Sequence, residues 1–208
     1  MFAPGAGRFL VPAVVLLAAL WGLVGLAVLP RTVPPILLLA AASVVVAFLA
    51  VFFRDPERVA GPGVVSAADG RVRDVRQEGD RWRISVFMNV TDVHVNRFPL
   101  TARVAGVSEG GHGFRPAYRP EAEHNVQRGY RLDTAFGPVE VVQMTGVVAR
   151  RLVSFVRPGD TRAKGDRLGM IVLGSRVDVL VPAAHFAPTV PVGSRVTAGV
   201  TTIAEERS

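Results

Sequence analysis

The sequence contains no cysteine, which excludes disulfide bonds, thiolate nucleophiles, iron–sulfur clusters and cysteine-based zinc sites. Its four histidines show no HxH or HExxH spacing, so the pattern predicts no metal site. Aromatic residues make up only 7% of the chain and do not alternate with the arginines, which argues against nucleic acid as a partner. The excess of 24 Lys+Arg over 17 Asp+Glu therefore indicates an anionic membrane surface instead.

Charge is missing from two long stretches near the N-terminus, residues 10–29 and 36–53. Each is long enough, as a helix, to cross most of a bilayer, and the segment Pro30–Pro35 between them contains three prolines that interrupt a helix. We therefore predict a membrane-anchoring helical hairpin in residues 1–53. A cleaved signal peptide followed by a core helix is the less favoured alternative, because the first stretch is long for a signal and the second follows at once.

The arginines predict the orientation of this hairpin. Only Arg31 lies in the connecting turn, whereas Arg8 precedes the first stretch and Arg54, Arg58 and Arg71 follow the second. The positive-inside bias places both ends, and hence the rest of the chain, on the cytoplasmic side of the cell membrane.

From residue 54 onward, short apolar alternations such as 81–87 and 139–144 are separated by Gly, Pro and Asp turn signals. This pattern predicts an all-β domain over residues 54–208, either a barrel or a sandwich. A short repeat, Val-x-x-Gly followed six residues later by Gly, occurs at 156–165 and again at 190–199. Such a strand–turn–strand repeat is typical of barrel-sandwich hybrids, the architecture of carrier domains. Because Lys164 lies in the first repeat, a non-catalytic membrane-anchored adaptor or carrier is our second hypothesis.

Five motifs carry the candidate chemistry, and each has an ordinary structural interpretation when taken alone. They are FFRDPER at 52–58, ADG at 68–70, DVHVNR at 92–97, VARR at 148–151 and LGSRVDVLVP at 173–182. In this order they closely resemble the phosphatidylserine decarboxylase family, in the short form found in archaea and many bacteria.

This resemblance implies a proenzyme that cuts itself between Gly174 and Ser175 into a large chain, 1–174, and a small chain, 175–208, which stay together as a heterodimer. Ser175 would become a covalent pyruvoyl group, the cofactor, and would form a Schiff base with the substrate amine. The implied reaction converts membrane phosphatidylserine to phosphatidylethanolamine and CO₂, without pyridoxal phosphate or a metal. The same motifs fit an ether-linked archaetidylserine equally well.

The chemistry of self-cleavage explains the Gly–Ser pair. The Ser175 hydroxyl attacks the Gly174 carbonyl, so that the amide becomes an ester; loss of the Ser175 α-proton then expels the Gly174 carboxylate. The dehydroalanine that remains hydrolyses to pyruvoyl and ammonia. Glycine before the serine leaves the carbonyl open to attack and tolerates a strained turn.

A serine hydroxyl needs a base, and the resemblance implies an Asp–His–Ser arrangement of Asp69, His94 and Ser175. Here the sequence departs from the longer family members, which carry two histidines three residues apart: His94 fits the first position and Arg97 occupies the second. Either His94 serves both self-cleavage and decarboxylation in turn, which we favour, or Arg97 or another group replaces the missing base. Arg150 and Arg151 either bind the substrate phosphate or form a solvated strand end.

Overall fold

The computed structural model describes residues 1–25, 33–113, 115, 124–146, 151–172 and 175–207, and it divides the chain into two compact units, Met1–Pro56 and Glu57–Ser208. The first unit contains helices α1 (Gly7–Gly25) and α2 (Val33–Phe52). The prediction that the helix break extends through Pro35 is wrong, because α2 takes Pro34 and Pro35 into its first turn, where proline sacrifices no intrahelical hydrogen bond. Residues 26–32 lie outside the described part.

Helix α1 is the strongest membrane candidate. Its window Gly7–Val24 spans 18 residues with a mean hydropathy of 2.0, and 11% of these residues are buried. Among the described residues it is the one helix long and apolar enough to cross a bilayer, since the apolar part of α2, Ile36–Phe52, is shorter. This finding supports association with a membrane.

The second unit is built from antiparallel strands, and its described residues contain no α-helix, which confirms the predicted all-β class. The strands are β1 (Val64–Val65), β2 (Gly70–Glu78), β3 (Arg81–Met88), β4 (Val95–Arg97), β5 (Ala102–Gly110), β6 (Gln127–Thr134), β7 (Gly137–Thr145), β8 (Arg151–Ser154), β9 (Thr161–Arg162), β10 (Arg167–Val172), β11 (Ser175–Pro182), β12 (Phe186–Pro188), β13 (Arg195–Val196) and β14 (Thr202–Glu206).

The order of these strands reveals an internal duplication. The largest sheet runs β13-β2-β3-β11-β7-β6-β5-β9, and the two smaller sheets run β1-β14-β12 and β4-β10-β8. Strands β1–β3 and β11–β14 form one repeat, here called the outer repeat, and β4–β10 form the inner repeat. Each repeat contributes four strands to the large sheet and forms one small sheet. In the large sheet, the order β13-β2-β3-β11 of the outer repeat is mirrored by the order β7-β6-β5-β9 of the inner repeat. One large cluster of buried aliphatic and aromatic side chains, including Tyr130, Phe98 and Phe186, contains residues of both repeats.

Backbone details match between the repeats. The register shifts at Val72 in the β2–β3 pair and at Val104 in the β5–β6 pair. The Gly193 N–H donates to the Val72 carbonyl and the Gly159 N–H donates to the Val104 carbonyl, each at 2.8 Å, and these glycines have φ of +92° and +96°. Both belong to the short sequence repeat, which is therefore the visible trace of the larger duplication.

The inner repeat is inserted into the outer one. In the inner repeat, β6 and β7 are joined by a tight hairpin whose ends Thr134 and Gly137 are paired. The corresponding strands of the outer repeat, β3 and β11, are also paired, with Met88 opposite Ser175. The chain instead leaves after β3 through residues 89–94, here called the junction loop, and returns just before Ser175. Both crossings between the repeats therefore meet at one end of the β3–β11 pair.

Candidate active site

Three of the sequence-predicted site residues are brought toward this crossing. Arg71 pairs with Phe87 across β2 and β3, and Ser175 pairs with Met88 on one side and with Thr145 on the other. Asp69, which directly precedes β2, therefore lies two strands away from Ser175. Since neighbouring strands are about 4.8 Å apart, the two backbones are separated by roughly 10 Å, which leaves room for an intervening side chain.

Gly70 explains the position of Asp69. Its φ is +145°, and a Cβ atom at this position would lie 2.0 Å from the Phe87 carbonyl oxygen. Only glycine permits such a close approach of the two strands. The ADG motif is therefore the start of a strand and not a hairpin turn, and it fixes the preceding carboxylate at the sheet end.

His94 is fully buried at the end of the junction loop. Its Nδ1 lies 2.8 Å from the Asp92 carbonyl oxygen, and its own carbonyl accepts a hydrogen bond from the Ile171 N–H at 3.2 Å. Because a carbonyl oxygen can only accept, Nδ1 must carry the proton. This contact selects the tautomer in which Nε2 is the basic nitrogen of the neutral ring, the tautomer that a general base requires.

Asp92 makes the junction loop rigid. One of its carboxylate oxygens accepts the Asn89 N–H at 2.8 Å and the other binds Arg195 at 3.0 Å, while its own N–H donates to the Asn89 carbonyl. These bonds hold the Asp92 carbonyl that orients the ring of His94. The sequence analysis did not assign Asp92 this role, although it lies two positions before His94 in the DVHVNR motif.

The Asp69 carboxylate is held by a bidentate ion pair. Arg58 donates to its two oxygens at 2.5 and 2.9 Å, and the Ala198 N–H donates to one of them at 2.8 Å. Arg58 also donates to the Ala198 carbonyl at 2.8 Å. The side chains of Arg58 and Asp69 are 8% and 15% exposed, so solvent screens this pair only weakly. In the sequence, Arg58 is a topology signal and the last residue of the FFRDPER motif, and neither feature predicted this contact.

Arg97, at the second histidine position, is buried beside the same turn. Its Nη1 donates to the Gly165 carbonyl at 2.9 Å, and its N–H donates to the Ala67 carbonyl at 2.9 Å. A Cβ atom on Gly199 would lie 3.0 Å from the Cδ of Arg97. The arginine therefore supports the loop that carries Asp69.

A buried polar chain lies behind the site. The Tyr130 hydroxyl donates to the Gln143 side chain at 3.1 Å, and Gln143 donates to the side-chain amide oxygen of Asn96 at 2.7 Å. The side-chain amide nitrogen of Asn96 donates to the sulfur of Met88 at 3.7 Å. Burial raises the pKa of Tyr130, which keeps its hydroxyl protonated as a donor. Met88 is the register partner of Ser175, so this chain supports the strand position opposite the serine. This polar chain could not be predicted from the sequence, because isolated polar residues in apolar strands form no recognisable pattern.

The other candidates fall in less informative places. Gly174 and Arg150 lie outside the described residues, and Arg151 is exposed at the start of β8. His112, His124 and His185 are exposed, and the part of the chain that the structure describes holds no cluster of metal-binding side chains. The amine of Lys164 donates to the Gly63 carbonyl at 3.2 Å, a folded-back arrangement that differs from an attachment point projecting into solvent.

Comparisons with known proteins agree with the motifs. A sequence model of the phosphatidylserine decarboxylase family matches residues 45–204. The chain is 44% identical, over 154 residues, to the phosphatidylserine decarboxylase proenzyme of Streptomyces avermitilis, which covers 73% of this chain and 71% of that protein. A protein of Halobacterium salinarum, provisionally named archaetidylserine decarboxylase proenzyme, is 42% identical over 202 residues, or 93% of this chain and 92% of that protein.

A third relative, from Methanococcoides burtonii and with the same provisional name, is 40% identical over 164 residues, or 77% of this chain and 76% of that protein. The family match includes Asp69, His94 and Ser175, and together with these relatives it excludes the hypothesis of a non-catalytic carrier or adaptor. The chain is a decarboxylase and belongs to the phosphatidylserine decarboxylase family.

Proposed function

We propose that this protein is a self-processing, pyruvoyl-dependent enzyme that decarboxylates phosphatidylserine to phosphatidylethanolamine. The observation that carries the proposal is the position of Ser175 as the first residue of β11, paired on both sides within the large sheet and next to the crossing where His94 lies. The names of the bacterial relatives support the substrate, and those of the archaeal relatives support a serine headgroup on either an ester- or an ether-linked lipid.

Self-cleavage breaks the bond between Gly174 and Ser175. The Ser175 hydroxyl attacks the Gly174 carbonyl carbon, the C–N bond breaks, and the amide nitrogen gains a proton to leave an ester. Removal of the Ser175 α-proton then expels the Gly174 carboxylate, and water replaces the nitrogen, which departs as ammonia. His94, with its basic Nε2 and its ring held by Asp92, is the base that takes the hydroxyl proton.

Asp69 acts at the same end of the sheet. Its carboxylate, oriented by Arg58 and the Ala198 N–H, supplies negative charge within reach of an imidazole placed between it and Ser175. This charge stabilises the imidazolium that forms when His94 accepts a proton. Arg58 and Arg97 hold the carboxylate and its loop in place.

The fold suits a pyruvoyl group at position 175. Such a group has no N–H, and β11 begins there, so the strand pairs of Arg176 and later residues remain intact after cleavage. When formed, the group supplies a carbonyl that condenses with the substrate amine and accepts the electrons left by CO₂. His94 then delivers a proton to the substrate α-carbon, which gives it a role in both reactions.

The small chain, 175–208, remains bound to the large chain, 1–174, after cleavage. Strand β11 lies between β3 and β7 in the large sheet, β13 pairs with β2, and β14 pairs with β1. Four elements of the small chain, counting β12 on β14, are thus built into sheets shared with the large chain. We therefore propose a stable heterodimer that does not separate without unfolding.

Residues 1–53 are proposed as the membrane anchor, and residues 54–208 as the catalytic domain on the cytoplasmic side. The apolar helix α1, which carries Arg8 near its start, supports the anchor, and the arginine distribution supports the side. A membrane anchor suits a diacyl substrate, because only the headgroup has to leave the bilayer surface.

Intact mass measurement of the purified protein tests the proposal. We expect two chains, residues 1–174 and 175–208, with the small chain lighter by one ammonia than the product of simple hydrolysis. Ser175→Ala, which has no hydroxyl for the acyl shift, should remain a single chain that still folds. Ser194→Ala is the matched control in the small chain and should process normally. A single unmodified chain in membranes that decarboxylate phosphatidylserine would refute self-processing.

A further inference from the structure

The described residues of the second unit expose few large apolar side chains. Among its described residues, the large hydrophobic side chains that are exposed are four valines: Val59 at 89%, Val90 at 46%, Val192 at 61% and Val200 at 40%. Val90 lies in the junction loop, and Val192 lies at the tip of the turn that precedes β13. The Asp92–Arg195 ion pair, at 3.0 Å, connects these two loops.

Exposed arginines lie beside these two valines. Arg71 and Arg195 are register partners on β2 and β13, so their side chains share one side of the sheet. The Arg71 guanidinium also donates to the Gly193 carbonyl, next to Val192, at 3.1 Å. Arg73 lies over the ring of Phe87 at 5.3 Å. We call this surface the valine–arginine patch; its members are Arg71, Arg73, Phe87, Val90, Val192 and Arg195.

The inner repeat provides an internal comparison for the patch. Its register and turn hydrogen bonds assign an equivalent to every member except Val90, which lies in the junction loop. Arg103 is equivalent to Arg71, Ala105 to Arg73 and Asp133 to Phe87. In the turn and the edge strand, Pro158 is equivalent to Val192 and Thr161 to Arg195. The same backbone thus carries three arginines and two apolar side chains on one repeat, but mixed charge and small side chains on the other.

We propose that the valine–arginine patch docks the catalytic domain on an anionic lipid surface. Valines that project from a loop tip enter the boundary between headgroups and acyl chains, and the neighbouring arginines bind lipid phosphates, a combination typical of interfacial membrane contacts. A protein partner would also cover exposed valines, but the three arginines outweigh the one carboxylate paired with them, that of Asp92, and this favours anionic headgroups.

The patch also lies next to the candidate active site. The Asp92–Arg195 pair belongs both to the patch and to the loop that orients His94, and Phe87 precedes Met88, the register partner of Ser175. Docking through this patch therefore brings the site to the bilayer surface, where a headgroup enters without extraction of the lipid. This benefit rests on the proposed function, whereas docking itself does not require it.

Because the sequence contains no cysteine, a fluorophore that reacts with thiols labels only the one cysteine that is introduced. We would attach an environment-sensitive fluorophore to Val192→Cys and, as the matched control, to Pro158→Cys, the equivalent turn position of the inner repeat. The full chain would be reconstituted in phosphatidylcholine vesicles, with or without phosphatidylglycerol, that contain a nitroxide-labelled lipid.

We expect a blue-shifted emission at position 192 and several-fold stronger quenching by the nitroxide lipid than at position 158. This difference should shrink without phosphatidylglycerol and at high salt. Equal quenching at both positions would overturn the proposal. A blue shift at 192 without lipid quenching would also overturn it, and would point to a protein partner instead.

The same measurement on a Ser175→Ala background separates docking from catalysis. Docking of this unprocessed chain should equal that of the wild type. In a processed chain, Val192→Asp should raise the apparent KM for vesicle lipid several-fold and leave turnover of a short-chain soluble substrate unchanged, whereas Pro158→Asp should change neither. Wild-type docking without any decarboxylation would refute the proposed function alone, and decarboxylation without docking would refute the patch alone.

Discussion

The two repeats of the β domain have the same backbone but carry different chemistry. The Ala198 N–H donates to the Asp69 carboxylate in the outer repeat, and at the equivalent place the Lys164 N–H donates to the Thr101 hydroxyl in the inner repeat. Both repeats thus have a hydrogen bond that closes this turn, whether or not the acceptor is charged. Two of the groups that we propose to react, His94 and Ser175, lie where the outer repeat is interrupted, at the junction loop and at the start of β11. The comparison teaches that the fold supplies two equivalent frameworks and that the insertion point supplies the site.

The largest expected effect is at His94, which has no equivalent in a closed hairpin such as β6–β7. His94→Ala should stop both processing and CO₂ release, since among the described residues His94 is the one histidine at the crossing. Denaturing gels and CO₂ release from phosphatidylserine vesicles measure the two steps separately. Cleavage into two chains without CO₂ release would show that His94 serves decarboxylation only. Normal CO₂ release would remove His94 from the mechanism.

The next effect is at Asp69, and the inner repeat provides its control. Asp69→Ala removes the turn hydrogen bond, the ion pair with Arg58 and the carboxylate charge, whereas Thr101→Ala removes only the turn hydrogen bond. We expect Asp69→Ala to slow processing by about a hundredfold or more, by comparison with the loss of orienting carboxylates in serine hydrolases. Thr101→Ala should process at the wild-type rate in a time course of chain cleavage. Equal slowing in both variants would mean that Asp69 only closes a turn.

Much of this arrangement is readable from the sequence because it depends on local patterns. Period-two alternation predicts the strands, positive-φ glycines at 159 and 193 mark the turns, and uncharged stretches mark the helices. The Arg58–Asp69 pair is different, because it depends on how a loop folds against a turn that is distant in sequence. The same holds for the Tyr130–Gln143 hydrogen bond, which joins two strands through the core. The inserted repeat escaped detection because its sequence similarity survives only in the short turn motif.

A stability comparison tests whether the central strands also differ between repeats. Asp178 is fully buried and accepts hydrogen bonds from Arg83 and Arg176, whereas its inner equivalent, Glu140, is 36% exposed and binds Arg81 at 3.1 Å. Asp178→Asn should lower the free energy of unfolding by about 3 kcal/mol, because the charge that faces the buried Arg176 guanidinium is lost, whereas Arg83 keeps its ion pair with Glu78. Glu140→Gln should cost less than about 1 kcal/mol. Urea unfolding of Ser175→Ala backgrounds, which are single chains, measures both; equal losses would contradict the difference in burial.

The smallest expected effect is a pH dependence at Glu78, for which the inner repeat has Gly110 and therefore no carboxylate. A hydrogen bond from Arg83 is the largest influence that lowers the pKa of Glu78, from 4.5 to about 2, and Arg76 adds to it. A carboxyl whose pKa is lower in the folded state stabilises the fold above its unfolded pKa, and this contribution disappears as the pH falls through the folded pKa. Glu78→Gln should therefore be less stable than its parent at neutral pH, by less than about 1 kcal/mol because the pair is partly exposed. The difference should shrink between pH 4.5 and about 2. Urea midpoints of both single-chain variants across this range measure it, and a difference that stays constant with pH would show that Glu78 acts through packing and not through its charge.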